Sequence, residues 1–125
     1  MLFYEERDRL VNFFTQSIYF YVNRKENVRM KESIFQRELI KDLEKMFPGC
    51  YVIKIDSSYI QGFPDLLVLY KNQWAVLECK RCATAFKQPN QAYYVEKLNE
   101  MSFSKFIFPE NKKEVLYDLQ QAFQS

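Results

Sequence analysis

The sequence predicts an α/β fold, a mixed β-sheet with helices on both sides. Three observations carry this expectation. Two β-rich runs, Asp65 to Tyr70 and Gln73 to Lys80, are separated only by Lys71-Asn72 and are apolar on both faces, as strands are in a sheet covered twice. A strand, a helix and another strand then follow one another between residues 74 and 108, which implies a right-handed parallel crossover. The whole chain reads α-α-β-β-β-α-β-α.

Each element has its own justification. Residues 3–22 put Leu10, Phe14, Ser17, Ile18 and Tyr21 on one helical stripe, with Phe13, Tyr19, Phe20 and Val22 off it. Such a helix packs inside the domain or meets a second copy. Asn23 to Arg29 is a polar break. Ser33 to Phe47 is the stronger helix, with Gln36, Leu39, Ile40, Leu43 and Phe47 on one face and Pro48-Gly49 closing it. Glu32 continues that face, whereas Glu38 points away from it. Cys50 to Ile55 reads as a strand and Asp56 to Gly62 as a loop. Pro64 limits the start of the next strand because it has no N–H for a ladder. Pro89 to Met101 suits a helix with proline in its first turn. Lys105 to Phe108 is a short buried strand, and Asn111-Lys-Lys-Glu114 resembles a capping box opening a last helix through Leu116, Leu119 and Phe123.

Composition narrows the chemistry. With 125 residues, 48% of them hydrophobic and 27% charged, the chain can bury a single core. It contains no histidine, so a Ser/His/Asp triad, a His general base and His-containing zinc sites are excluded. A net charge of +2 creates no field that by itself attracts nucleic acid or membrane. The run Leu66 to Tyr70 is far below the roughly 18 apolar residues of a membrane span, and no secretory signal opens the chain, so a cytoplasmic protein is expected. Three cysteines fit reduced thiols better than a disulfide framework.

The hairpin is where charge collects. With Lys71-Asn72 as its turn, antiparallel partners have numbers summing to 143, and Asp65 falls opposite Glu78. Opposed residues have Cβ atoms about 4.5 to 5.5 Å apart, a destabilising distance for like charges. Lys80 shares their face by the period of two, and Cys79 points to the other. One lysine offsets only part of that repulsion, and a divalent cation completes it. Hard oxygen ligands without histidine favour Mg²⁺ or Mn²⁺ over Zn²⁺, and the Cys79 main-chain carbonyl is a further candidate oxygen. The competing interpretation makes Asp65 a turn residue and Glu78 and Lys80 an exposed edge pair, but such an edge would not carry Leu67, Leu69, Trp74 and Val76 on the same face.

Gly62-Phe63-Pro64-Asp65, followed after the hairpin by Glu78-Cys79-Lys80, resembles the PD-(D/E)xK nuclease superfamily. Within it, the Gly-x-Pro-Asp run, the Glu-x-Lys-Arg run ending at Arg81, and Gln91 downstream look most like the small VRR-NUC proteins of phages and bacteria. They are also similar to Holliday-junction resolvases. The likeness covers about residues 30–108. It implies a restriction-endonuclease-like fold with an α-β-β-β-α-β core and metal-dependent phosphodiester hydrolysis. Asp65 and Glu78 would bind Mg²⁺, and Lys80 would orient or activate the attacking water. The family usually presents a glutamate from the helix before the sheet. Here the matching position is Gln36, with Glu32 on the same face as a candidate replacement ligand. The domain is expected over 30–125, with residues 1–29 as a helical extension, either a dimerisation element or a stretch upstream of a start at Met30.

Lys80, Arg81 and Lys87 form a local basic stretch with no acid until Glu96, and Lys54 adds to it. Such groups contact phosphate without reading sequence. Gln88 and Gln91 are candidate partners of phosphate or of a water on the metal. Phe86, Tyr93 and Tyr94 are candidates either for the core or for stacking on unpaired bases. Cys79-Lys80-Arg81-Cys82 is a C-x-x-C, but its first cysteine falls inside a strand, unlike a thioredoxin motif. The expectation is a Mg²⁺- or Mn²⁺-dependent DNA endonuclease acting on branched, flapped or nicked DNA, as a homodimer. The alternative is a nuclease-fold protein that binds nucleic acid or a partner without cutting.

Overall fold

The computed structural model describes residues 32–124 apart from Ser57; the helix expected over 3–22, and with it the extension 1–29, lie outside the described residues. Helix α1 covers 32–46 in its described part. It is followed by strands β1 (Tyr51–Lys54), β2 (Leu66–Tyr70) and β3 (Gln73–Cys79), helix α2 (Pro89–Met101), strand β4 (Phe103–Ile107) and helix α3 (Lys112–Gln124). The four strands form one sheet in the order β1-β2-β3-β4, antiparallel except for the β3–β4 pair. The mixed α/β sheet and its parallel crossover are therefore present.

Register follows the two-residue turn. Leu66 pairs with Leu77, Val68 with Ala75 and Tyr70 with Gln73, so every pair sums to 143. Lys71 makes that turn at φ 57°, in the left-handed region. One face of the sheet is the core: Leu66, Val68, Ala75, Leu77 and Cys79 meet Phe35, Leu39, Leu43 and Phe47 of the α1 segment, and Val115, Leu116, Leu119 and Phe123 of α3. Near the hairpin turn the rings of Phe47, Tyr70 and Phe123 lie within 5.1 to 5.7 Å of one another, in tilted and edge-on contacts. The hairpin is anchored at that end, and the charged residues lie at the other.

Helix α2 packs on β3 and β4 across the opposite face. Coverage there is incomplete: Val76 is buried, while Leu69 and Ile53 are exposed. Two sequence expectations shift. Strand β4 begins at Phe103, two residues before the expected start, because its limits are set by parallel pairing of Ala75 with Phe103 and Val76 with Ser104. The Asn111 side chain turns back to β4, accepting from the Phe108 N–H (2.9 Å) and donating to the Phe106 carbonyl (3.1 Å).

Candidate functional site

Asp65 directly precedes β2 and continues its ladder towards β1. Its carbonyl accepts from the Ile55 N–H (2.8 Å), and its carboxylate accepts from the Cys79 N–H (2.9 Å). Pro64, buried and without an N–H, starts this segment where the ladder does not need one. Glu78 lies near the end of β3 on the same face as Asp65 and is 3% exposed. Lys80, 8% exposed, follows β3 and keeps its main chain in line through an N–H bond to the Ile107 carbonyl (2.9 Å).

The polar heads of this set are tied by α2. Gln91 Nε2 donates to Glu78 Oε2 (2.9 Å), and Gln91 Oε1 accepts from Lys80 Nζ (2.8 Å). Lys80 Nζ also donates to the Phe86 carbonyl (2.9 Å). The lysine is thus aimed by a side chain and a main-chain carbonyl. Glu78 Oε1 is buried and has no hydrogen-bond partner, which leaves a carboxylate oxygen desolvated and uncompensated.

Electrostatics mark the same place. Burial, reinforced by the neighbouring Asp65 and Glu32, pushes the Glu78 carboxyl up to about 8, with Lys80 only partly opposing it. Burial also raises Asp65, against the Cys79 N–H bond and Lys80. Glu32 is raised by burial and by Asp65, and lowered by Lys80 and Arg81. Three carboxylates therefore sense one another at one end of the sheet, with too little positive charge to ionise them all easily.

Gln36 sits elsewhere: its side chain is hydrogen-bonded with the Cys79 thiol, which belongs to the core face rather than the Asp65–Glu78 face. Burial and the surrounding carboxylates push that thiol upward, opposite to what a reactive thiolate needs. All three cysteines are free. Arg81 bonds the Cys82 sulfur (3.5 Å) while acting on Glu32. Lys87 Nζ lies over the rings of Phe106 (5.2 Å) and Phe108 (5.6 Å), and Phe106 is the β4 partner of Glu78. Lys54 is exposed at the end of β1, paired with Leu66. The Phe86 carbonyl and the Cys79 amide are contributions that residue types could not reveal, since both are main-chain groups.

Among solved structures, a VRR_NUC domain matches this chain with a TM-score of 0.53 and 25% sequence identity, covering 62% of this chain and 83% of that one. The fold is that of a VRR_NUC domain. The resemblance to VRR-NUC proteins thus has a counterpart in the fold, and the chain has a nuclease-like fold. No protein-family model and no curated protein matches the sequence. In this VRR_NUC-like sheet the described residues include no helix long and apolar enough to cross a membrane.

Proposed function

We propose that this protein is a metal-dependent DNA endonuclease whose site is Asp65, Glu78 and Lys80, with Gln91 as the residue that positions the last two. The observation that carries the reading is the buried, unpartnered Glu78 Oε1 beside a second raised carboxylate, whose charge Lys80 only partly offsets. Among the described residues no group of three Cys, Asp or Glu side chains could hold an ion alone. The groups that would hold an ion are Asp65, Glu78 and the Cys79 main-chain carbonyl, with Glu32, which senses Asp65, as a further carboxylate. Such hard oxygens suit Mg²⁺ or Mn²⁺, which supplies Lewis-acid polarisation of the phosphoryl oxygen and lowers the pKa of water.

The chain's own groups do the rest. Lys80, held by Gln91 and Phe86, presents a directed positive charge to an attacking water and to the negative charge that grows on the phosphoryl oxygens. Gln91 fixes the distance between Lys80 and Glu78 by bonding both. Arg81, Lys87 and Lys54 serve the backbone phosphates without reading bases. Substrates are branched, flapped or nicked DNA, the active form is a homodimer with two sites, and the protein works in the cytoplasm of a bacterium or phage-infected host.

The test is cleavage of end-labelled four-way-junction, flap, single-stranded and supercoiled DNA with Mg²⁺ or Mn²⁺. Metal-dependent products are expected from the wild type. Lys80→Ala should lower the rate by roughly 10²- to 10³-fold, as for other directed charge-stabilising groups. Absence of product on every substrate would reject the enzyme and favour a binding module.

A further inference from the structure

Beside the carboxylate end of the hairpin lies a cleft of about 380 Å³, lined by Ser58, Gln61, Gly62, Gln88 and Gln91. That is the scale of sites for small organic groups, about 300–1,000 Å³. One wall is the loop between β1 and β2, and the other is the entry to α2. They are pinned by a bond from Asn90 Nδ2 to the Gln61 carbonyl (3.3 Å). Gly62 makes this approach possible: its φ is +90°, and a Cβ there would stand 2.6 Å from Asn90 Cγ.

The lining chemistry selects the ligand. Among the described residues no lysine or arginine lines the cleft, Pro89 at the helix start has no N–H, and the Gln88 N–H is already taken by Gln91 Oε1 (3.0 Å). A phosphate is therefore poorly served. Among the described residues no carboxylate lines it either, so a divalent cation is no better placed. With the Gln91 amide and the Ser58 hydroxyl proton already engaged, the side-chain amides of Gln61 and Gln88 are the groups that suit a neutral ring edged with donors and acceptors, and a nucleobase has that edge. Two large rings follow closely in the chain: Tyr59, between lining residues of the loop, is 86% exposed, and Phe86, two residues before Gln88, is 75% exposed. Exposed aromatics beside a nucleic-acid site are platforms on which bases stack. Gln91 joins the cleft to the charged set, because the same side chain lines one and bonds Glu78 and Lys80 in the other.

We infer that the cleft is a subsite for one unpaired nucleobase of the substrate strand, next to the phosphate that is cut. This rests on the nuclease reading and deepens it: the feature selected is an unstacked base rather than the branch itself.

Two flap duplexes test it with the full-length chain, identical except that one carries an abasic residue in place of the flap base nearest the cut. The wild type should lose roughly 10- to 100-fold in kcat/KM on the abasic substrate, the usual scale for one stacked and bonded base. Gln61→Ala, an exposed position, should remove most of that discrimination, read as the ratio of kcat/KM between the two substrates. Equal cleavage of both substrates by the wild type would overturn the subsite. A separate readout uses 2-aminopurine as the flap base: its emission should change on binding to the wild type and much less with Gln61→Ala. If neither duplex is cut, the nuclease reading fails, and the emission still judges the cleft. An unchanged emission overturns the subsite whether or not the strand binds.

Discussion

Glu78→Gln should make the metal-free protein more stable at neutral pH while abolishing cleavage. In the unfolded chain this carboxyl releases its proton near the ordinary 4.5, and in the folded chain near 8. Between those values the folded state binds more protons than the unfolded state, so stability falls as pH rises. At pH 7 the window already crossed is about two and a half pH steps, at about 1.4 kcal/mol each, or about 3 to 4 kcal/mol of folding free energy given up to keep this buried carboxyl protonated where the unfolded chain ionises it. Glutamine keeps the shape and can still accept from Gln91 Nε2, and it has no charge to desolvate. Urea unfolding followed by Trp74 fluorescence, with divalent ions chelated, measures the difference. With a slope of about 2 kcal/mol per molar, the variant's midpoint at pH 7 should be higher by about 1.5 to 2 M. The gap should close below pH 5 and widen towards pH 8. Equal midpoints at pH 7, or a gap that does not change with pH, would refute the argument that Glu78 is a strained carboxylate. Mn²⁺ should then raise the midpoint of the wild type and leave that of the variant in place.

Two other positions give distinct outcomes. Gln91→Ala removes the bonds to both Glu78 and Lys80 and leaves buried polar groups unpaired. The expected cost is about 2 to 3 kcal/mol in unfolding experiments, with a fall in kcat larger than any change in KM, because Lys80 loses its aim. A normal kcat with a raised KM would remove Gln91 from its positioning role. Gly62→Ala forces a side chain into the left-handed region and against Asn90, so a loss of about 1 to 3 kcal/mol should appear as a lower unfolding midpoint. An unchanged midpoint would mean that the loop and α2 separate at little cost.

Much of this arrangement is legible in the sequence because it depends on local rules. The two-residue turn fixes the hairpin register, and period two places Asp65, Glu78 and Lys80 on one face. Helix α2 has the expected limits because Pro89 starts it and the apolar spacing ends at Met101. The rest depends on tertiary placement. Strand β4 starts early because its partner β3 dictates the ladder, and Ser104, buried at 1% exposure, hides the strand from any reading by hydrophobicity. Asn111 looks like a helix cap by spacing, yet β4 offers nearer partners. Gln36 and Glu32 share a helical stripe, but α1 packs against the core face of the sheet. Its stripe therefore brings Gln36 to the Cys79 thiol, and the more N-terminal Glu32 into the field of Asp65. The double bond made by Gln91 needs α2 to lie across β3, a fact of packing rather than of pattern.

Asp65 also joins three strands. Its main chain takes the amide of Ile55 following β1, and its side chain takes the last amide of β3, so a single residue closes the sheet at its open end. Truncation to alanine therefore removes a rivet as well as an acid, and a dead Asp65→Ala protein would mix a structural defect with a chemical one. Asparagine keeps an acceptor for the Cys79 amide and discards only the charge. The same coupling runs in reverse: Asp65 holds the Ile55 amide with its main chain and the Cys79 amide with its side chain, so fraying of the short edge strand β1 reaches the site through this one residue, and the outermost strand helps set how well the acids are aligned.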